Sequence, residues 1–128
     1  DAPREEAGLQ VRDRGGIMMV EERESVRQAI LLLIATMPGE RVMRPDYGCD
    51  LQQLVFSPND DTTAGLAMHY VRQALERWEP RIEVIRLDAE RHADDPFRLD
   101  IVLEYRVRST LSTVLMLIPL RLSGEQAA

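Results

Sequence analysis

The sequence predicts a single α+β domain: about three helices packed on a C-terminal antiparallel three-stranded meander, with a candidate hairpin at the N-terminus. Three observations carry this reading. Apolar residues recur at helical spacing through much of the first two-thirds of the chain, strict alternation replaces that period after Ile82, and clusters of proline, glycine and aspartate mark the changes. At 128 residues the chain has the size of one domain. A chain of this length buries roughly two-thirds of its unfolded surface without disulfides or metals.

Residues 1–8 are polar and patternless and read as a flexible tail, leaving 9–122 as the domain and 123–128 as a second tail. Leu9 to Arg14 alternates apolar and polar before Gly15-Gly16, and Ile17-Met18-Met19-Val20 follows, so the two segments suit a hairpin. Ser25-Val26-Arg27-Gln28 matches a capping box, which places a helix start at Ser25. Val26, Ala29, Ile30, Leu33, Ile34 and Met37 then form one apolar stripe, widened by Leu31 and Leu32, and Pro38-Gly39 stops the helix. A face that broad should be covered on more than one side.

A short helix over about 50–56 carries Leu51, Leu54 and Val55 on one face and is closed by Ser57-Pro58. Asp60-Asp61-Thr62 then starts a third helix over about 62–78, with Leu66, Ala67, Tyr70, Val71, Ala74, Leu75 and Trp78 on its apolar face. Pro80 ends it. From Ile82 the period is two, with Ile82, Val84 and, less cleanly, Leu87 and Ala89 on one side. Asp94-Asp95-Pro96 turns the chain, and Phe97, Leu99, Ile101, Leu103, Tyr105 and Val107 alternate with mostly charged residues in the clearest strand of the sequence. After Ser109 to Ser112, a last strand spans Thr113 to Leu120, and Pro119 in it points to an edge position.

Composition excludes several classes of function. A net charge of −6 disfavours direct nucleic-acid binding, which needs an excess of cations. The single cysteine, Cys49, and two histidines, His69 and His92, leave little capacity for metal, and one cysteine forms no internal disulfide, consistent with a reducing, intracellular site of assembly. The longest apolar run, Ala29 to Ala35, is too short for a bilayer and follows acidic residues rather than a basic leader, so neither membrane insertion nor export is expected. All sixteen cations are arginine, which suits bidentate carboxylate pairing and equally reflects an arginine-favouring genome.

Two segments carry specific patterns: Pro38-Gly39-Glu40-Arg41-Val42-Met43-Arg44-Pro45-Asp46-Tyr47-Gly48 and Trp78-Glu79-Pro80-Arg81-Ile82. They resemble the signatures of the baseplate-wedge and sheath-initiator family of contractile injection machines, shared by phage tails, type VI secretion systems and extracellular contractile devices. In that family a helix precedes a Pro-Gly-Glu-Arg turn, a Pro-Asp-aromatic-Gly segment follows, and a Glu-Pro-Arg triplet joins the long helix to the sheet. The resemblance spans about Gly16 to Leu122. It implies a structural baseplate component present in several copies in a large symmetric assembly, with wedge proteins, sheath subunits and tube or hub proteins as partners. No cofactor, no metal and no enzymatic turnover are implied. The implied location is the bacterial cytoplasm during assembly, or a phage tail or tail-like particle.

Under that resemblance Glu79, Pro80, Arg81, Arg41, Arg44, Tyr47 and Gly48 form the expected partner-binding set. Val114, Leu115, Met116, Leu117 and Ile118 form the strand that templates the first sheath ring. Physical chemistry leaves alternatives beside each assignment. Pro80 forces the chain out of the helix, so Glu79 and Arg81 sit on a stiff corner and either project to dock a partner or close a local salt bridge. Tyr47 either supports the same surface or packs on the core. The last strand either accepts a strand from another chain or is fully paired.

A lysozyme-like, glycan-cleaving enzyme is the alternative function. It needs two carboxylates, one of them protonated, about 5–10 Å apart. Glu79 is the obvious acid, with Asp46 or Asp50 as its partner, yet no apolar flanking singles out a pair. The serines lack a nucleophile elbow, Cys49 has no evident base and reads as a buried filler, and His69 lies between Met68 and Tyr70 on the third helix.

Overall fold

In the computed structural model the chain is described over residues 7–124, with side chains from residue 16 onward. Helix α1 spans Ala7–Ala35, a 3₁₀ turn spans Asp50–Leu54, and helix α2 spans Asp61–Trp78. Strands β1, Ile82–Arg91, β2, Arg98–Val107, and β3, Ser112–Arg121, follow as an antiparallel sheet in the order β1-β2-β3. The α+β class and the meander are as the sequence predicts, but of the three expected helices the one over 50–56 is only a five-residue 3₁₀ turn, too short to close α-helical hydrogen bonds before Ser57-Pro58. Of the two expected tails, residues 1–6 and 125–128 lie outside the described residues, while Ala7 and Gly8 belong to α1. At the other end the Ser123 amide donates to the Val55 carbonyl at 2.6 Å.

The N-terminal hairpin is overturned. Helix α1 runs unbroken through Gly15-Gly16 and through the capping box at Ser25, where the Gln28 amide donates to Glu24 at 2.8 Å instead of reaching back. Helix growth is cooperative: once Val26, Ile30, Leu33 and Ile34 are fixed against the core, each added turn costs little, and two glycines weaken that growth without stopping it. The alternation at residues 9–14 gains nothing as a strand without a sheet beside it. At its other end α1 stops at Ala35, just short of Pro38. Leu31 and Leu32 remain 36% and 48% exposed, so the widened stripe is not fully covered within this chain.

Helix α2 begins as expected, with Asp60 accepting from the Thr63 amide at 2.9 Å. Its buried face, Thr63, Ala64, Ala67, Val71, Ala74 and Leu75, uses small residues at the places of closest approach, while Leu66 is exposed. It packs on β1 and β2, and α1 packs on α2. The central strand β2 supplies the middle of the core: Leu99, Ile101, Leu103, Tyr105 and Val107 are fully buried, in the phase the alternation predicts. In β1 the register shifts between Val84 and Arg86, a bulge that leaves Ile85 exposed. That extra residue is why the inward set changes from Ile82 and Val84 to Leu87 and Ala89.

Candidate interaction surface

Helix α2 ends where Glu79 caps it, its amide donating to the Leu75 carbonyl at 2.9 Å, and Pro80 turns the chain toward β1. Glu79 does not project as the sequence allows. Its side chain is 5% exposed, and its two oxygens accept from Arg81 Nε at 2.8 Å and Nη2 at 3.0 Å. Arg81 Nη1 reaches Ser25 on α1 at 3.3 Å, and the Glu79 hydrogen bond raises the guanidinium above its ordinary value. The corner is tied to the β2 end as well: Arg108 donates from its amide to the Arg81 carbonyl at 2.9 Å and from Nε to the Pro80 carbonyl at 3.1 Å. Of the two charges, only Arg81 offers a solvent-facing edge, at 40% side-chain exposure, beside the exposed Pro80.

The segment between α1 and the 3₁₀ turn folds back on Trp78. The Gly39 amide donates to the Pro45 carbonyl at 2.7 Å, and the Cys49 amide donates to the Thr36 carbonyl at 2.8 Å, closing the loop at its base. Gly48 has φ +141°, and a Cβ there would lie 2.5 Å from the Thr36 carbonyl oxygen, so only glycine fits. This closure sets the half-buried Tyr47 edge-on against Trp78, with ring centroids 5.4 Å apart. Arg41 stacks over Tyr47 at 5.0 Å, while Arg44 and Arg77 lie over Trp78 at 5.4 and 5.0 Å. Arg77 also pairs with Asp46 at 3.2 Å.

The structure thus brings Arg41, Arg44 and Tyr47 together around Trp78, the residue that precedes the Glu-Pro-Arg corner. Sequence reasoning passed over Arg77, which lies one residue before the quoted motif, and treated Trp78 as helix core. Arginines spaced around aromatics were the available signal.

At the far side of the sheet, β3 pairs with β2 along its whole length, and among the described residues nothing pairs with its other edge. Met116 and Ile118 face the core at 7% exposure, Val114 is partly buried, and Leu115 and Leu117 face outward at 66% and 51%. Beside Val114 and Leu115 a cleft of about 350 Å³ separates the sheet from Val20, Arg23, Glu24 and Arg27 of α1. Tyr105 forms part of its floor, with a buried hydroxyl that meets no hydrogen-bond partner among the described residues, and burial pushes this phenol up.

The carboxylates of the enzymatic alternative do not converge. Asp46 and Asp50 line a second cleft, of about 320 Å³, with Cys49, Tyr70 and Arg77, and Glu79 is not among its walls. Both Glu79 oxygens accept from Arg81, which leaves no room for the proton-donating role of a general acid. Among the described residues no group of histidine, cysteine or carboxylate side chains is arranged to hold a metal. Among the described residues no helix is long and apolar enough to cross a membrane.

Comparison with known proteins bears on the family and the fold. The family described as baseplate wedge protein gp25 matches residues 20–112. Baseplate wedge protein gp25 of Enterobacteria phage T4 is 30% identical over 71 residues, covering 56% of this chain and 54% of that protein, so the chain spans about half the length of this curated relative. A crystal structure from Geobacter sulfurreducens, provisionally described as a tail lysozyme, is 42% identical with a TM-score of 0.72, covering 79% of this chain and 91% of that one. A chain in the anti-feeding prophage baseplate is 25% identical with a TM-score of 0.63, covering 66% of this chain and 68% of its own length.

Proposed function

Since the chain belongs to the baseplate wedge protein gp25 family, we propose that it is a structural baseplate component of a contractile injection machine, anchored to wedge proteins at the Glu79-Pro80-Arg81 corner and templating the first sheath ring along β3. The observation that carries the templating half is the unpaired outer edge of β3 with its half-exposed Leu115 and Leu117. An edge of this kind accepts a further strand through main-chain hydrogen bonds, and apolar side chains on the outward face give the added layer something to pack on. The anchoring half rests on rigidity. Arg81 is fixed by Glu79 and Ser25, so its outer N–H groups meet a partner with little further loss of side-chain freedom.

The buried carboxylate shapes the test. Removing Arg81 outright would strand Glu79, so Arg81→Lys, which keeps a cation beside Glu79 and loses the planar fork, is the informative change. Baseplates carrying Arg81→Lys should incorporate the subunit poorly while the isolated chain melts within a few degrees of the parent. Baseplates with Leu115→Arg and Leu117→Arg should incorporate it normally and fail to start sheath. Normal incorporation of the first variant, or normal sheath on the second, would reject the corresponding half. The Geobacter relative's description keeps glycan cleavage as the second reading. Turnover of purified peptidoglycan that disappears in Asp46→Asn or Asp50→Asn, the carboxylates that line the cleft beside Tyr70, would establish it.

A further inference from the structure

We propose that the loop tip Arg41-Val42-Met43-Arg44 is a docking site for an acidic segment of a partner protein, one that sets carboxylates on the two arginines and an apolar side chain on Val42 and Met43. Val42 and Met43 are 94% and 90% exposed, so neither shields any part of this chain's own core. Two adjacent apolar side chains in water lower the free energy only when something covers them. Their neighbours, by contrast, are held: Arg41 over Tyr47 and Arg44 over Trp78, on a loop closed by the Gly39 amide to Pro45.

The two guanidinium groups sit over rings, which take no N–H donor in a conventional hydrogen bond, so their donors remain available to a partner's carboxylates. Arg77, over the same tryptophan, has already taken Asp46, whereas among the described residues neither Arg41 nor Arg44 pairs with a carboxylate. Two planar cations held near rings on a closed loop match two carboxylates, with less ordering left to do on binding than for free side chains. A phosphate backbone would meet the same cations, yet it would leave Val42 and Met43 uncovered. An acidic protein segment with an apolar residue between its carboxylates satisfies both halves of the tip.

The test needs only the full isolated chain, so its outcome is independent of the baseplate reading. Trp78 is the chain's single tryptophan, and its fluorescence reports on the ring beneath Arg44. The chain is titrated with a short synthetic peptide of alternating glutamate and leucine, with matched glutamine–leucine and lysine–leucine peptides, and with a duplex oligonucleotide. Expected is a saturable change with the glutamate peptide alone, weakened about tenfold or more both in Arg41→Gln with Arg44→Gln and in Val42→Ser with Met43→Ser. Circular dichroism should show both double variants folded, because Val42 and Met43 lie outside the core and glutamine keeps the Cβ–Cγ–Cδ stem at the exposed arginine sites. No saturable change, equal binding of the glutamine peptide, tighter binding of the oligonucleotide, or indifference to either pair of substitutions would overturn the proposal.

Discussion

Gly48 is the residue on which the aromatic and arginine cluster depends. Its φ of +141° is strained for any L side chain, and the atoms a Cβ would meet belong to the backbone of Thr36, Met37 and Pro38, which cannot move aside as a side-chain end does. Gly48→Ala should therefore cost about 2–3 kcal/mol, measured as a lowered urea midpoint, from backbone strain and overpacking together. It should also change Trp78 fluorescence, because Tyr47 loses its seat. Glu79 shows the limit of reading residues one at a time. The triplet Glu-Pro-Arg was legible as a rigid corner, but the side of the corner each charge takes depends on Ser25 and Arg108, which lie 54 and 29 residues away along the chain and carry no local signal.

At the scale of elements, periodicity served best where one face meets a core and the other meets water. Helix α2 and strand β2 have that arrangement, and both were legible almost to the residue. Helix α1 was not, because Ile17, Met18, Met19 and Val20 are all substantially exposed and leave no face to read. The turns carry a pH dependence that follows from their bonds. Asp95 is held below the ordinary aspartate value by the Phe97 amide, at 2.9 Å, and by Arg121. In Asp100 burial acts upward, but hydrogen bonds from Arg98 and His92 outweigh it and the net shift is down. Asp60 is lowered mainly by the Thr63 amide it caps. A depressed carboxylate adds stability that is fully present above its unfolded pKa and is lost as pH falls through the folded value. The melting midpoint should thus hold steady from neutral pH to about pH 5 and fall below about pH 4. In Asp100→Asn it should start lower and fall less steeply.

The whole molecule is a two-layer domain whose stability is concentrated at one end of α1 and in the middle of the sheet. Val26, Ile30 and Leu33 are fully or almost fully buried, whereas the helix turn at Ile17 to Val20 makes little contact with the domain. Hydrogen exchange should therefore be graded along a single helix. Amides around Ile17 should exchange orders of magnitude faster than those around Ile30, and the β2 amides from Ile101 to Tyr105 slowest of all. Uniform protection along α1 in the isolated chain would contradict this distribution of contacts. Exposure of the β3 edge belongs to this scale as well, because strand order is a property of the assembled sheet. Pro119 pointed to an edge, but alternation alone describes an edge strand and an inner strand equally well.

Cys49 is 1% exposed, its Sγ donates to the Tyr70 carbonyl at 3.6 Å, and burial pushes its thiol up, away from the reactive thiolate. The chain therefore carries one sulfhydryl that ordinary maleimide reagents will not reach while the fold is intact. A second cysteine placed at an exposed position, such as Met43 or Leu115, would take a dye or spin label alone, with no need to remove the native one. Distances from the loop tip and from the sheet edge to neighbouring subunits then become measurable in an assembled particle.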